Sequence, residues 1–172
     1  MTRESLAQEI TAVCKLTGEF LLRSGQTSHY YFDKYRFEAQ PRLLKSIADL
    51  MTPLIPESSE ALAGLELGGV PVATAISLQN QLPCLFVRKE AKAYGTCQFA
   101  EGFDPKGKRL CIVEDVVTTG GQVKLSTRDL RSIGAEVNTV VSVIYRGKRG
   151  ENPFSDLDLD FFPLFTQEDL SE

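Results

Sequence analysis

Only one histidine, His29, occurs in the 172 residues. A histidine metal cluster is therefore excluded, and His29 reads as a loop residue. The four cysteines, Cys14, Cys84, Cys97 and Cys111, are scattered and include no C-x-x-C pair. This spacing speaks against a zinc site and against a disulfide framework, and the thiols read as those of a reduced, cytoplasmic protein. Cys84 and Cys111 lie in apolar runs and are expected in the core. No apolar run is long enough to span a bilayer, and the first ten residues lack the apolar stretch of a signal peptide. Excess positive charge is also missing. With a net charge of -4 and a pI near 5.2, broad nucleic-acid binding is not expected.

Several phosphate and metal motifs are absent as well. No G-x-G-x-x-G opens a helix, so a dinucleotide site has no support. Gly102 to Arg109 carries the glycine spacing of a P-loop up to its lysine. However, Arg109 replaces the Ser/Thr that would hold magnesium, and the run precedes a strand instead of following one. The acidic tail, with Asp156, Asp158 and Asp160, lacks the glycine and distal glutamate of a calcium loop and is expected to form a half-buried edge strand. No internal repeat or low-complexity tract is evident.

What remains is an ordinary globular composition, 42% hydrophobic and 24% charged, of a size that fits one domain. Leu6, Ile10, Val13 and Cys14 recur at helical spacing, as do Leu43, Leu44, Ile47, Leu50 and Met51 between Pro41 and Ile55. An aromatic cluster, Tyr30, Tyr31, Phe32, Tyr35 and Phe37, suggests short strands or a flap. Further on, the pattern predicts a strand at 61–67, a Gly68-Gly69 turn, a helix at 71–78 and a strand at 83–87. A polar loop at 88–109 leads to a strand from Leu110. The helix after it carries Val123, Leu130 and Ile133 on one face, and a β-branched strand follows at 137–145. Alternating strands and helices over 61–145 imply a parallel sheet with crossover helices, whose ligands lie at the carboxyl ends of the strands.

The run from Leu110 to Gln122 carries the most chemistry. An apolar strand ends in Glu114 and Asp115, then Val116 and Val117, and opens onto Thr118, Thr119, Gly120 and Gly121. Backbone amides and hydroxyls of such a turn can surround a phosphate at a helix N-terminus. The two carboxylates can accept hydrogen bonds from ribose hydroxyls. An acid pair beside an anion nest suits a phosphorylated ribose better than bare phosphate, because like charges repel. Arg88, Lys89 and Lys92, on a stretch ending in Gly95, suit a loop that closes over a polyanion and excludes competing water.

The 110–122 run resembles the phosphoribosyl pyrophosphate (PRPP) signature of the type I phosphoribosyltransferases. Arg88 to Thr96 with Glu101-Gly102, Leu22 to Phe32, and Gly64 to Pro71 narrow the resemblance to the orotate-using branch, over roughly residues 18 to 147. It implies an α/β fold, a central mostly parallel sheet with flanking helices and a small N-terminal hood. The whole of 1–172 would form one domain, with 1–40 and the C-terminal tail as the hood and edge region. It also implies transfer of phosphoribosyl from PRPP to orotate, giving orotidine 5′-phosphate and pyrophosphate in pyrimidine biosynthesis.

By the same resemblance, Lys89, Lys92 and Asp115 are catalytic. Arg88, Lys89, Lys92, Tyr94, Gly68, Gly69 and residues 114–122 (Glu114, Asp115, Val116, Val117, Thr118, Thr119, Gly120, Gly121, Gln122) bind PRPP. Arg23, Tyr31, Phe32, Thr118 and Arg146 bind orotate. Mg2+ would be held by PRPP oxygens and water without direct protein ligands, and Lys89 would come from the other subunit of a homodimer. Three positions depart from the family pattern: Arg23 and Tyr94 stand where many relatives carry lysine and histidine, and Gly68 where many carry a basic residue. The alternatives are a phosphoribosyltransferase for a purine or other base, and a non-catalytic nucleotide-sensing regulator of the same fold.

Overall fold

The structure, a computed structural model, describes residues 1–21, 25–90 and 98–170. Helix α1 (Arg3–Cys14) is capped by the Thr2 hydroxyl, which accepts the Ser5 N–H at 3.2 Å, and it buries Leu6, Ala7, Ile10 and Cys14. Strands β1 (Lys15–Leu21) and β2 (Thr27–Phe32) form an antiparallel hairpin that is a two-stranded sheet of its own. Two helices follow, α2 (Tyr35–Glu38) and α3 (Pro41–Met51), the second opening on a proline whose missing N–H would be unbonded there anyway. The rest alternates: β3 (Ala61–Leu65), α4 (Glu66–Asn80), β4 (Cys84–Val87), β5 (Ala100–Glu101), β6 (Arg109–Val117), α5 (Gly121–Ser132), β7 (Glu136–Tyr145) and β8 (Asp160–Thr166).

The large sheet has the order β5-β4-β3-β6-β7-β8, and every pairing except β4 with β5 is parallel. The fold class expected from the sequence is therefore the one observed. From β3 the chain steps outward to β4, then returns past β3 to build β6, β7 and β8 on the other side. Right-handed crossovers then place α4 and α5 on opposite faces. Period-two alternation feeds the two cores. Leu62, Cys111 and Val113 pack with α1, α3 and α4, while Ala61, Ala63, Leu110 and Ile112 pack with Val123 and Leu130 of α5. The reversal of winding between β3 and β6 is where open α/β sheets leave a crevice at their carboxyl edge.

Several expected boundaries shift. Gly68-Gly69 is not a separate turn: β3 stops at Leu65, and the glycines lie in the first turn of α4, which also takes in Pro71. They are there because the helix winds directly against β6. A Cβ on Gly69 would meet the Val113 carbonyl oxygen, and one on Gly64 would sit 2.8 Å from Ala73 Cβ. The acid pair lies inside β6, since Val116 and Val117 continue the ladder opposite Ile144 and Tyr145. Ile133 falls beyond the end of α5 and is exposed, and His29 lies in β2. In the tail, residues 155–157 form a single helical turn and Asp158 has φ 51°, so the edge strand begins only at Asp160. Tyr35 and Phe37 belong to α2, with Phe37 fully buried. The part standing apart from the core is also smaller than 1–40. Leu6, Ile10, Cys14 and Phe37 join the main core, which leaves the β1–β2 hairpin as the separate sheet. Among the described residues, no helix is long and apolar enough to cross a membrane.

Candidate functional site

β3, β4, β6 and β7 all end at one edge of the sheet, and their following segments build the site. After Val117 the exposed residues Thr118 and Thr119 lead to Gly120, whose φ of 75° begins α5 without a side-chain cap. Glycine is required there twice over, by the positive φ and because a Cβ would run into the Phe154 ring. The first-turn N–H groups of α5 thus remain available to an anion. Gln122 directs its amide along the helix to Ser126 Oγ at 3.3 Å. Val117 is buried in the core, and its carbonyl accepts the Arg146 N–H at 2.9 Å. Only the Val117 backbone therefore faces the site.

The acid pair is more deeply set than solvated ribose-binding carboxylates would be. Glu114 is 8% exposed and Asp115 fully buried. Asp115 Oδ1 accepts the Val116 N–H at 2.6 Å, and Oδ2 lies 2.6 Å from Lys34 Nζ. Its carboxyl also fills the space that a side chain on Gly68 would need. Glu38 of α2 and Glu114 each share a hydrogen bond with it. Burial pushes the Glu38 carboxyl up to about 9, reinforced by Asp115, and raises Glu114 in the same way. Burial would raise Asp115 too, but hydrogen bonds to Glu114, Glu38 and Lys34 outweigh it and hold Asp115 below the usual carboxylate range. These opposing shifts favour the negative charge on Asp115, beside the Lys34 ammonium. Neither Lys34 nor Glu38 was picked out from the sequence, because no spacing rule links α2 to a strand some eighty residues away.

A cavity of about 460 Å³ lies between the hairpin and the carboxyl ends of β7 and β8. Tyr31, Phe32 and Arg146 line it together, with the Arg146 guanidinium 5.4 Å from the centroid of the Phe32 ring. Three of the predicted base-pocket residues are thus brought together. Thr118 is not in this lining, although Arg146 is tied to the residue before it. Thr11, Lys15, Tyr30, Ile144, Gln167 and Leu170 complete the wall, and none of them was expected in the base pocket. Lys15 stands over the Tyr30 ring at 5.0 Å and adds a second cation.

Beyond β4, the Arg88 N–H bonds the Phe99 carbonyl at 2.7 Å, and its guanidinium lies 3.7 Å from Glu101. With β5 pairing against β4, this forms a stem from which the exposed Lys89 departs. Arg23, Lys92 and Tyr94 lie outside the described residues.

The family model of the phosphoribosyl transferase domain matches residues 35–165. The chain is 52% identical over 166 residues to an orotate phosphoribosyltransferase of Nocardioides sp., covering 96% of this chain and 93% of that protein. It is 38% identical to one from Methanocaldococcus jannaschii, covering 91% and 89%. Its fold also matches that of Mycobacterium tuberculosis H37Rv orotate phosphoribosyltransferase in complex with PRPP. There the TM-score is 0.83 at 27% identity, with 99% of both chains covered.

The raised Glu38 carboxyl yields a stability test. Because the folded protein holds this proton and the unfolded chain releases it near pH 4.5, its stabilising contribution is complete below that pH and lost as pH rises toward 9. Glu38→Gln should therefore flatten the fall in unfolding free energy between pH 5 and 9 by up to roughly 1.4 kcal/mol per pH unit. Urea titrations giving the same slope for both proteins would show that Glu38 is not held protonated.

Proposed function

The chain belongs to the orotate phosphoribosyltransferases of the phosphoribosyltransferase family, and from that premise we propose how its residues divide the work of moving phosphoribosyl from PRPP to orotate. The observation that carries the proposal is the meeting, at one sheet edge, of an uncapped helix N-terminus, a buried acid pair and a cationic, aromatic-lined cavity. The 5′-phosphate sits on the Thr118–Gly121 turn, where backbone N–H groups converge. Glu114 and Asp115 orient the ribose through its hydroxyls. Arg88, Lys89, Lys92 and Tyr94 receive the pyrophosphate, with the Gly68-Gly69 backbone beside it. Tyr31, Phe32 and Arg146 hold orotate, together with Arg23 and Thr118: the ring lies against the aromatics and the carboxylate meets the guanidinium.

In the transfer, the bond between the anomeric carbon and pyrophosphate breaks and a bond to a ring nitrogen of orotate forms. Positive charge develops on the ribose and negative charge on the leaving group. Cations on the 88–92 segment neutralise the latter, and the buried Asp115 charge lies on the ribose side. Orotate's acidic N–H makes a dedicated general base unnecessary.

The donors at this edge are N–H groups, hydroxyls and cations, and the two acids are engaged with each other and with Lys34. That set fits a magnesium ion that arrives on the polyanion and keeps its waters. When bound, Mg2+ would supply charge neutralisation to pyrophosphate, and the 118–121 turn and Arg88 would hold the loaded substrate. We further propose a cytoplasmic location, consistent with the free thiols of Cys14, Cys84 and Cys111. A purine acceptor is disfavoured because a neutral base offers Arg146 and Lys15 nothing anionic to pair with.

Incubation with orotate, PRPP and Mg2+ should give a PRPP-dependent fall in orotate ultraviolet absorbance. Arg146→Ala should then raise the orotate KM by about tenfold or more while leaving the PRPP KM within about twofold. Consumption of hypoxanthine or uracil instead of orotate would overturn the acceptor assignment, and equal effects on both KM values would move Arg146 out of the base pocket.

We propose, too, a homodimer in which Lys89 serves the neighbouring subunit's site. Symmetry makes a loop that crosses once cross twice. Lys89→Ala and Asp115→Asn chains, each impaired alone, should recover activity when their subunits are exchanged. One site of the mixed dimer joins an intact Asp115 to an intact Lys89, while the other carries both lesions. Verified heterodimers showing only the mean of the parental activities would refute the shared site.

A further inference from the structure

We propose that Lys34 is a positioning residue for the sugar half of the donor: through its ion pair it keeps the fully buried Asp115 carboxylate ionised and aimed at the ribose position. This rests on the reading of the site as a PRPP site and adds to it a residue from outside the signature run.

The geometry is specific. Lys34 stands between β2 and α2, and its backbone is fixed on both sides. The Asp33 N–H bonds the Cys14 carbonyl at 2.9 Å, and Asp33 Oδ1 accepts the Tyr35 N–H at 3.2 Å. Its aliphatic stem is largely covered, with the side chain 33% exposed, and the ammonium reaches Asp115 Oδ2 at 2.6 Å while passing 5.3 Å from the centroid of the Tyr35 ring. Asp115 has little freedom to choose another position. Oδ1 is bonded to the Val116 N–H, and the carboxyl fills the hollow left by Gly68 on α4.

The groups facing Asp115 are Lys34 and Glu38 from the β2–α2 side, Glu114 from its own strand, and the Gly68 backbone from α4. Asp33 and Tyr35 act on Lys34 and Glu38 from one step further out. Among the described residues, Lys34 is the only cation in this set. Without it, three carboxyls would face one another in a buried site, and Asp115 would share a proton with Glu38 or Glu114. A protonated Asp115 loses acceptor capacity toward ribose hydroxyls. The consequence falls on the donor sugar and not on the base, because the base cavity between the hairpin and β7–β8 does not include Lys34.

The test is steady-state kinetics of Lys34→Met and Lys34→Arg beside the unaltered enzyme at pH 6.5 and 8.5. Lys34→Met should raise the PRPP KM by about tenfold at pH 6.5 and by less at pH 8.5, where Asp115 ionises unaided. The orotate KM should stay within about twofold. Lys34→Arg restores the charge and should recover most of the loss, which a purely steric role would not allow. If Lys34→Met does not fold, Lys34→Gln gives the same comparison against Lys34→Arg. Unchanged PRPP KM values, a pH-independent defect, or an arginine variant no better than the neutral one would overturn the role of Lys34. Absence of orotate turnover in the unaltered protein would instead overturn the site reading itself.

Discussion

Asp115 is a fully buried carboxylate at the point where the sheet reverses its winding, and much of the site's architecture is arranged around keeping it charged there. Leaving such a group unpaired costs about 3–5 kcal/mol, so the fold must bring partners to it. It does so from three directions: Lys34 across from α2, the Val116 N–H along the strand, and the open flank of Gly68 from α4. Each of these constrains a larger element. Gly68 and Gly69 set how closely α4 packs on β6, and α2 is held where Lys34 and Glu38 can reach inward.

Two consequences follow for function. The acid pair is pushed in opposite directions, Glu114 above the usual carboxylate range by burial and Asp115 below it by its hydrogen bonds and Lys34, although the two are adjacent in sequence. Like charges at such a distance cannot both persist in a buried site, so the environment assigns them different states. The glycine turn one step beyond leads into α5, whose first turn is free of acidic residues. In the proposed division of the site, sugar recognition and anion recognition would be separated within eight residues of chain, from Glu114 to Gly121, as a donor carrying both a 5′-phosphate and a pyrophosphate on one ribose demands.

Much of this was legible in the sequence, and the legible parts share a cause. Strand β6, the glycine turn and the alternation from 61 to 145 show themselves through local periodicity and turn chemistry, which act over a few residues. The cavity residues Tyr31, Phe32 and Arg146 were reached only through the family resemblance, since nothing local links the hairpin to β7. What the sequence hid was long-range. Gly68-Gly69 looked like a turn because glycine pairs usually are one, whereas here they permit close packing against a strand that comes forty residues later. Lys34 and Glu38, within DKYRFE, and Lys15 and Thr11 carry no local signal that sets them apart. Their roles depend on which elements the topology juxtaposes. Ile133 and the acidic tail failed for the opposite reason: the pattern continued while the backbone stopped, at the end of α5 and at the positive φ of Asp158.

The close fit of Gly68 against the Asp115 carboxylate is the contact on which the charge arrangement turns, and calorimetric titration of PRPP into Gly68→Ala beside the unaltered protein tests it most directly. A methyl group at Gly68 must displace the carboxylate. PRPP affinity should therefore fall by about tenfold or more in Gly68→Ala. A Gly68→Ala protein that folds and binds PRPP as tightly as the unaltered chain would contradict it.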